Sequence, residues 1–580
     1  MNNNILKKLF DSLKIILNKQ QKRSALNLFF IMVIGMILEI LLLNNLFILL
    51  NYLSNTNLEV PEIIKYISDT TNSQNISLLV LLLFILTFFV KTVSTIIVKW
   101  KEGEFVFSLK AKISERLFIG YLNLPMIFHQ RTNTARTLKN ITTEVDQFSY
   151  LVNGISTLAL ELLVLAGISF YLILIDPIIS ISCIISFVAF GYFFNMFNKG
   201  KIKTMSENRL VHQDGKIKSI MEGLIGMREL KIWSKENSFL KMFSVHNNEI
   251  ANISTSTTLR NNMSKPAFEI FMLILLSIFL IYFLSNDLLN ASVIPMFGLY
   301  LAAAYRLVPS IAKIVQSIQN IQFNLRCAEN LTEEIEKFPS SEVTEKNSKI
   351  KINFFNEIKV ENLTFCYDLN KSSKQNANVL ENINFEVKKG ECVGIEGESG
   401  SGKSTLIDLL IGLQSPTKGK ISVDGININD SIKNWQKLVG CVPQEVFIID
   451  DTLKKNIAFG LSDTNISEEQ VKKCLEFSNL KEFSDTLENK LETVIGERGA
   501  RLSGGQKQRI GIARAIYHNP EILIFDESTS SLDLETEKKI LKEIYSFKKK
   551  KTIFIISHKN KTLENCDYIL KIKGKKLEKI

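Results

Sequence analysis

The sequence has few cysteines, and they follow no pattern. Seven are scattered over 580 residues with no CxxC pair. Neither a zinc-ligand set nor a disulfide framework is therefore indicated, and reduced filler thiols are expected. No cleavable signal peptide is read either: the first apolar stretch is longer than a signal core and lacks a small-residue cleavage site, so it is expected to be a retained span. No internal repeat is visible, and no long apolar run occurs after Val308. Before that point there are six, near Leu26–Leu50, Ile76–Val98, Leu151–Ile175, Pro177–Asn195, Ala267–Leu284 and Ala291–Val308. Each is long enough to cross a bilayer. With 46% hydrophobic residues and a positive mean hydropathy, a chain of this length combines membrane and globular material and is too long for one compact domain.

A formal charge of +11 raises nucleic acid as a partner, but the basic residues form no single patch and cluster beside the spans. Lys7, Lys8, Lys14, Lys19, Lys22 and Arg23 precede the first span; Lys99, Lys101, Lys110, Lys112 and Arg116 follow the second; Lys199, Lys201 and Lys203 follow the fourth. The positive-inside rule makes these flanks cytoplasmic. Between spans one and two, residues 52–75 carry Glu59, Glu62 and Asp69 against Lys65 alone, and a short outer helix is expected near 60–69 with Pro61 in its first turn.

Leu6, Leu9, Phe10, Leu13, Ile16 and Leu17 recur at helical spacing with polar residues opposite. That pattern predicts an amphipathic elbow helix on the inner leaflet or packed before span one. The loops 99–148 and 196–262 keep helical periodicity, so the spans are expected to continue beyond the bilayer as helices. A polar stretch from Phe338 to Ser348 reads as a linker, and Asn370–Asn376 as a loop between strands. The run Lys548–Lys551 reads as a solvated turn before a buried strand.

The densest chemistry lies in Gly397-Glu398-Ser399-Gly400-Ser401-Gly402-Lys403-Ser404-Thr405, which follows the apolar run Cys392–Ile395 and opens Leu406–Leu413. Such a strand-loop-helix lets backbone N–H groups converge on phosphates, with Lys403 on the outer phosphates and the Ser404 hydroxyl joining a Mg2+ shell. Downstream come Gln444, then Leu502-Ser503-Gly504-Gly505-Gln506, then the strand Ile522–Phe525 ending in Asp526 and Glu527, then Ser530-Ser531-Leu532-Asp533, then His558 after the apolar strand Thr552–Ile556; Tyr367 precedes them all. In this order the motifs resemble an ATP-binding cassette (ABC) ATPase over about the last 230 residues, a usual domain size. Taken singly, the acidic pair reads as a strand end and His558 as a core histidine. Linked to the loop and signature they imply a hydrolysing site.

The resemblance assigns Asp526 and Gln444 to Mg2+ with Ser404, Glu527 to polarising the attacking water, His558 to the terminal phosphate, and Tyr367 to stacking on adenine. Gly397, Ser399, Gly400, Ser401, Gly402, Lys403, Ser404 and Thr405 form the phosphate loop. Ser503, Gly504, Gly505 and Gln506 would form a second anion cradle, which the family uses to cap the ATP of another subunit. One intact cassette per chain then implies a homodimer with two equivalent sites. Leu124–Arg131 and Gly223–Lys231 resemble coupling helices, and Val494–Gly499 resembles an exporter-type contact.

The fold expected is that of a multi-domain membrane protein. It comprises an elbow helix (1–25), an α-helical six-span domain of type IV exporter character (26–335), a linker (336–351) and an α/β P-loop nucleotide-binding domain (352–580), with the N-terminus and cassette cytoplasmic in a bacterial inner membrane.

Glu39, Lys91, Glu161, Glu269 and Arg306 fall within or near spans, where ionised groups mark a pathway or pair between helices. Ala304–Ser310, Lys91 and Glu39 resemble the bacterial lipid-linked oligosaccharide flippases of the N-glycosylation type. That resemblance implies a polyisoprenyl-pyrophosphate-linked glycan as cargo, with Lys91, Lys265 and Arg306 as the cations; positions 91 and 265 carry lysine where the family favours arginine. A lipid, a lipopolysaccharide precursor, a hydrophobic drug or a peptide fits the same architecture. With the elbow helix at the start of the sequence, no N-terminal peptidase domain of the kind found on some peptide exporters is expected, which weakens only the peptide reading. An ATP-gated channel or regulator is opposed by the intact Glu527 and His558, and action on nucleic acid by the six spans.

Overall fold

A computed structural model describes residues 3–53, 73–285, 293–338, 351–367, 378–496, 499, 502–529 and 532–580. The expected outer helix near 60–69, most of the 336–351 linker, the insert 370–376, Glu497–Arg498 and Ser530–Ser531 lie outside the described residues. The chain divides into two compact units, Met1–Leu124 with Thr132–Phe338, and Pro125–Arg131 with Pro339–Ile580.

The first unit is helical: α1 (Asn3–Ile16), α2 (Lys19–Leu53), α3 (Ser73–Leu122), α4 (Val145–Ile175), α5 (Pro177–Ile225), α6 (Glu236–Ser285) and α7 (Val293–Glu336) are its long elements. At 50 residues each, α3 and α6 run about 75 Å, more than twice the ~30 Å of a hydrocarbon core. They therefore extend well beyond any bilayer they cross. The break between α4 and α5 is local chemistry: Asp176 is extended and its carboxylate accepts from the N–H groups of Ile178 and Ile179 at 3.0 and 3.1 Å, with Pro177 opening α5.

Among the described residues five helices are long and apolar enough to cross a membrane: Lys19–Leu53, Val80–Leu122, Thr134–Ile175, Pro177–Asn198 and Pro295–Glu336. The remaining expected stretch, Ala267–Leu284, forms the last part of α6, where some side chains are not described. Only 6% of the apolar window of Val80–Leu122 is buried, and Phe88, Phe89 and Ile96 point outward. This outward apolar surface suits acyl chains as solvent, and the chain is a multi-pass membrane protein. The amphipathic face of α1 is divided: Ile16 is buried and Leu13 half-buried while Phe10 is exposed. Arg116 donates to the Ile15 and Ile16 carbonyls that end α1.

The second unit holds two sheets. One is antiparallel, ordered β2-β1-β4-β5, from β1 (Glu357–Cys366), β2 (Asn378–Lys388), β4 (Lys418–Val423) and β5 (Ile426–Asn427). The other is ordered β10-β9-β3-β8-β7-β6, from β3 (Cys392–Gly397), β6 (Val439–Val442), β7 (Ile522–Asp526), β8 (Thr552–Ile556), β9 (Tyr568–Lys573) and β10 (Lys576–Lys579). Strands β9, β3, β8, β7 and β6 are parallel. The apolar runs of the central strands β3, β8 and β7 are buried on both faces, as parallel strands covered by helices must be. Helices α8 (Lys403–Ile411), α9 (Gly504–Tyr517) and α10 (Leu534–Ser546) follow the loop, the signature and the acidic strand. The short helix Met126–Arg131 groups with this unit, and Gln130 Oε1 accepts from Gln414 Nε2 at 3.1 Å.

Candidate active site at the carboxyl ends of the parallel strands

Strand order places the site. In the sequence β3-β8-β7-β6, neighbouring strands run parallel, so the segments that leave their carboxyl ends emerge along one edge, where α/β sheets bind ligands. Those segments are the Gly-rich loop after β3, His558 after β8, Asp526 and Glu527 at the end of β7, and Gln444 after β6.

The register sharpens this. Asp526 pairs with Ile556, and the Glu527 N–H donates to the Ile556 carbonyl at 3.2 Å, so Glu527 and Ser557-His558 leave adjacent strands at the same level. Glu527 then turns at φ +46°, in a left-handed region uncommon for a side-chain-bearing residue and frequent at functional sites. Its carboxylate lies 2.7 Å from His558 Nε2 and accepts from Gln444 Nε2 at 3.1 Å. Three residues expected to act together from motifs spread over more than a hundred positions thus touch.

In the Gly-rich loop, Lys403 is buried and its Nζ donates to the Gly397 and Glu398 carbonyls at 2.8 and 2.9 Å. Gly402, at φ +102°, caps α8; a Cβ there would meet Leu380 at 3.0 Å. The buried Ser401 Oγ has no hydrogen-bond partner among the described residues, an orphan polar atom in a loop rich in N–H groups, as suits an anion cradle. Ser404 is exposed and Thr405 buried; the Thr405 hydroxyl lies 3.0 Å from that of Tyr367. Tyr367 sits edge-on to Phe365 with centroids 4.9 Å apart, so the expected adenine-stacking aromatic lies beside α8 and is held through its hydroxyl.

Burial, reinforced by Glu527 and Asp408 and opposed by Lys403, raises the Asp526 carboxyl to about 6. A carboxyl held this high even with Lys403 opposing the rise suits a further cation. Asp526, the Ser404 hydroxyl and the Gln444 side chain each offer an oxygen donor of the hard kind that Mg2+ takes.

The signature is built differently. Ser503 caps α9 and forms a capping box: its hydroxyl accepts from Gln506 N–H at 3.2 Å, and Gln506 Oε1 accepts from Ser503 N–H at 2.8 Å. The Gly504 and Gly505 N–H groups open a 14-residue helix, and Arg509 donates to the Asn479 carbonyl. None of these contacts reaches the Gly-rich loop. Asp533 caps α10 by accepting from Thr536 N–H at 3.0 Å.

The charged residues of the helical unit form a network. Glu39 accepts from Arg306 Nε at 2.5 Å and faces Lys91 Nζ at 3.3 Å. Glu161, 1% exposed, accepts from Ser310 Oγ and Lys313 Nζ, both at 2.8 Å, and faces Arg306 at 3.5 Å. Lys265 lies elsewhere, exposed and 3.7 Å from Glu269 one turn on. Lys91 and Arg306 are therefore brought together and Lys265 is not placed with them by any of these contacts. Sequence reasoning did not single out Lys313, although Arg306, Ser310 and Lys313 at i, i+4 and i+7 mark one helix face. It also passed over Glu537 and Lys559, which flank the site.

Residues 380–530 match the ABC transporter family model. The chain is 27% identical over 495 residues to an ATP-dependent lipid A-core flippase of Vibrio vulnificus, covering 83% of this chain and 80% of the relative. It is 26% identical over 542 residues, covering 88% and 89%, to a Bacillus subtilis ATP-binding/permease protein whose name assigns it to multidrug export. The solved structure of a bacterial Atm1-family ABC exporter with ATP bound superposes with a TM-score of 0.76 at 21% identity, covering 94% of each chain. With that fold, the matched cassette and these relatives, the chain is an ABC half-transporter of the exporter type, and its cassette is an ABC transporter ATPase.

Proposed function

We propose that the chain couples ATP hydrolysis at the β3-β8-β7-β6 edge to export or flipping of an amphipathic lipid across a bacterial inner membrane. The observation that carries the hydrolytic part is the convergence of Gln444, Glu527 and His558 at distances of 3.1 and 2.7 Å. Lys403 and the loop N–H groups hold the phosphates. Glu527 accepts the proton of the attacking water, aligned by Gln444, and His558 donates to the terminal phosphate as charge develops there. Ser404, Asp526 and Gln444 would hold Mg2+, which when bound neutralises phosphate charge. Tyr367 borders the adenine.

The signature supports a homodimer: Gly504 and Gly505 open the helix with N–H groups that no contact among the described residues directs to the chain's own Gly-rich loop, so with the Ser503 hydroxyl beside them they are assigned to the ATP of a second copy.

For the cargo we propose a lipid-linked glycan, with a polyisoprenyl-pyrophosphate carrier as the finer reading. A cavity of about 700 Å3 among α4, α5, α6 and α7, lined by Leu165, Phe187, Met272, Tyr300 and Ile314 among others, is within the usual range for ligand pockets and suits acyl or isoprenyl chains. The names of several relatives as lipid A-core flippases agree with a glycolipid class. Lys91, Lys265 and Arg306 remain the proposed headgroup cations. Since each faces a carboxylate, the headgroup must displace those pairings to bind. The same apolar cavity supports drug export as the second reading.

ATPase activity of the full chain in lipid vesicles separates them. Stimulation by a polyisoprenyl-pyrophosphate glycan or lipid A-core, and not by a drug panel, is expected; stimulation by drugs alone would replace the glycolipid reading.

A further inference from the structure

Two loops must hold their tips 2.7 Å apart for Glu527 and His558 to meet, and neither loop is inside the sheet. One observation shows how they are anchored. Glu537, in the first turns of α10, is 5% exposed. Its Oε1 accepts from Thr529 Oγ1 at 2.9 Å, and Lys559 Nζ donates to Oε1 and Oε2 at 3.1 and 2.9 Å. Thr529 stands two residues after Glu527, and Lys559 stands immediately after His558. The Lys559 N–H in turn donates to Ser557 Oγ at 3.0 Å.

A buried carboxylate is costly unless charge and hydrogen bonds answer it. Here the answering groups come from the two loops that carry the reacting side chains and from nowhere else in the observed contacts. We propose that Glu537 is a positioning residue for ATP hydrolysis, clasping the Glu527 loop and the His558 loop to one another through Thr529 and Lys559.

Glu537 touches neither Glu527 nor His558 directly; it fixes the bases of their loops, as outer partners orient catalytic side chains. The inference rests on assigning Glu527 and His558 to the hydrolytic step. It predicts an effect on turnover without one on nucleotide binding, because the phosphate loop and Tyr367 share no contact with Glu537.

The test uses the full chain in lipid vesicles. Glu537→Ala should lower kcat about tenfold or more, as loss of an orienting partner does elsewhere, while KM for ATP and equilibrium binding of a fluorescent ATP analogue stay within about twofold of wild type. Glu537→Gln keeps an acceptor for Thr529 and loses the charge facing Lys559, so its kcat should fall less. It also serves as the isosteric variant should the alanine protein fail to fold. Lys559→Ala should lower kcat, and Glu537→Ala combined with Lys559→Ala should be no slower than Glu537→Ala alone, because both remove one clasp. Wild-type kcat in Glu537→Ala, or equal losses of kcat and ATP affinity, would overturn the proposal. Separate failure of Glu527→Gln or His558→Ala to slow hydrolysis would instead overturn the assignment on which it rests.

Discussion

Two clusters of ionised side chains, one in each unit, differ in how completely their charges are answered. In the helical unit Glu39 and Glu161 are met by Arg306, Lys91, Lys313 and Ser310 at 2.5 to 3.3 Å, with Arg306 shared between the two carboxylates. At the cassette edge, Asp526 is buried beside Glu527 and Asp408 with Lys403 opposing its rise to about 6, and Ser401 Oγ has no hydrogen-bond partner among the described residues. The first cluster is finished within the protein. The second leaves a raised carboxyl and an orphan hydroxyl among the described residues. Residue type alone would have graded both alike; the surroundings separate a network whose charges are already paired, which a headgroup must break into, from a site that leaves groups unanswered.

Breaking the finished cluster should have the largest effect on stability. Glu161→Ala leaves Lys313 and Arg306 without their shared carboxylate and should lower stability by roughly 3–5 kcal/mol, read as a shift of the unfolding midpoint of purified protein in detergent. A shift under about 1 kcal/mol would mean that the network is open to water or cargo.

At the cassette edge Gly402→Ala should act on binding. Its φ of +102° and the Leu380 contact at 3.0 Å impose strain of about 1–3 kcal/mol, so ATP affinity should fall roughly 5- to 150-fold, measured by nucleotide titration.

Asp526 gives a pH signature. Its folded value is raised, so the protonated form is favoured in the fold. The stability of the nucleotide-free protein should therefore fall as pH rises from the ordinary carboxylate value near ~3.9 through about 6, and then level off. A cation favours the carboxylate, so binding of Mg2+ and ATP near pH 6 should release a fraction of a proton that is not released at pH 8 or in Asp526→Asn. Calorimetry in buffers of different ionisation enthalpy reads this.

The smallest effect is expected for Lys265→Ala. An exposed i,i+4 pair at 3.7 Å contributes about 0.3–0.5 kcal/mol, so stability should hardly change, and any loss of glycolipid-stimulated ATPase would then report on cargo alone.

The cassette was legible because its motifs are short, contiguous and tied to strand ends: once Ile522–Phe525 and Thr552–Ile556 are read as parallel strands, Glu527 and His558 must leave the same edge. Gln444 follows by the same logic from β6. The clasp at Glu537 was not legible, since Thr529, Glu537 and Lys559 meet only through the packing of α10 against two loops, and a glutamate in a polar helix face carries no signal of its own. In the helical unit the apolar runs announced the spans, and Glu39, Lys91, Glu161 and Arg306 stood out singly. Which faces which depends on the rotation of each helix about its axis, and nearly uniform Leu/Ile/Phe runs leave that rotation unstated. Lys313 was overlooked for that reason. Tyr367 was found by its place ahead of the loop, while its hydroxyl contact with Thr405 was not foreseeable from stacking chemistry.

The central claim is that Glu527 performs the step that Lys403 and the Gly-rich loop only prepare. The direct test compares ATP hydrolysis and ATP binding of wild type and Glu527→Gln in the same lipid vesicles. Hydrolysis should fall by at least ~100-fold with nucleotide affinity unchanged within about threefold; hydrolysis near the wild-type rate, or loss of binding in step with activity, would contradict it.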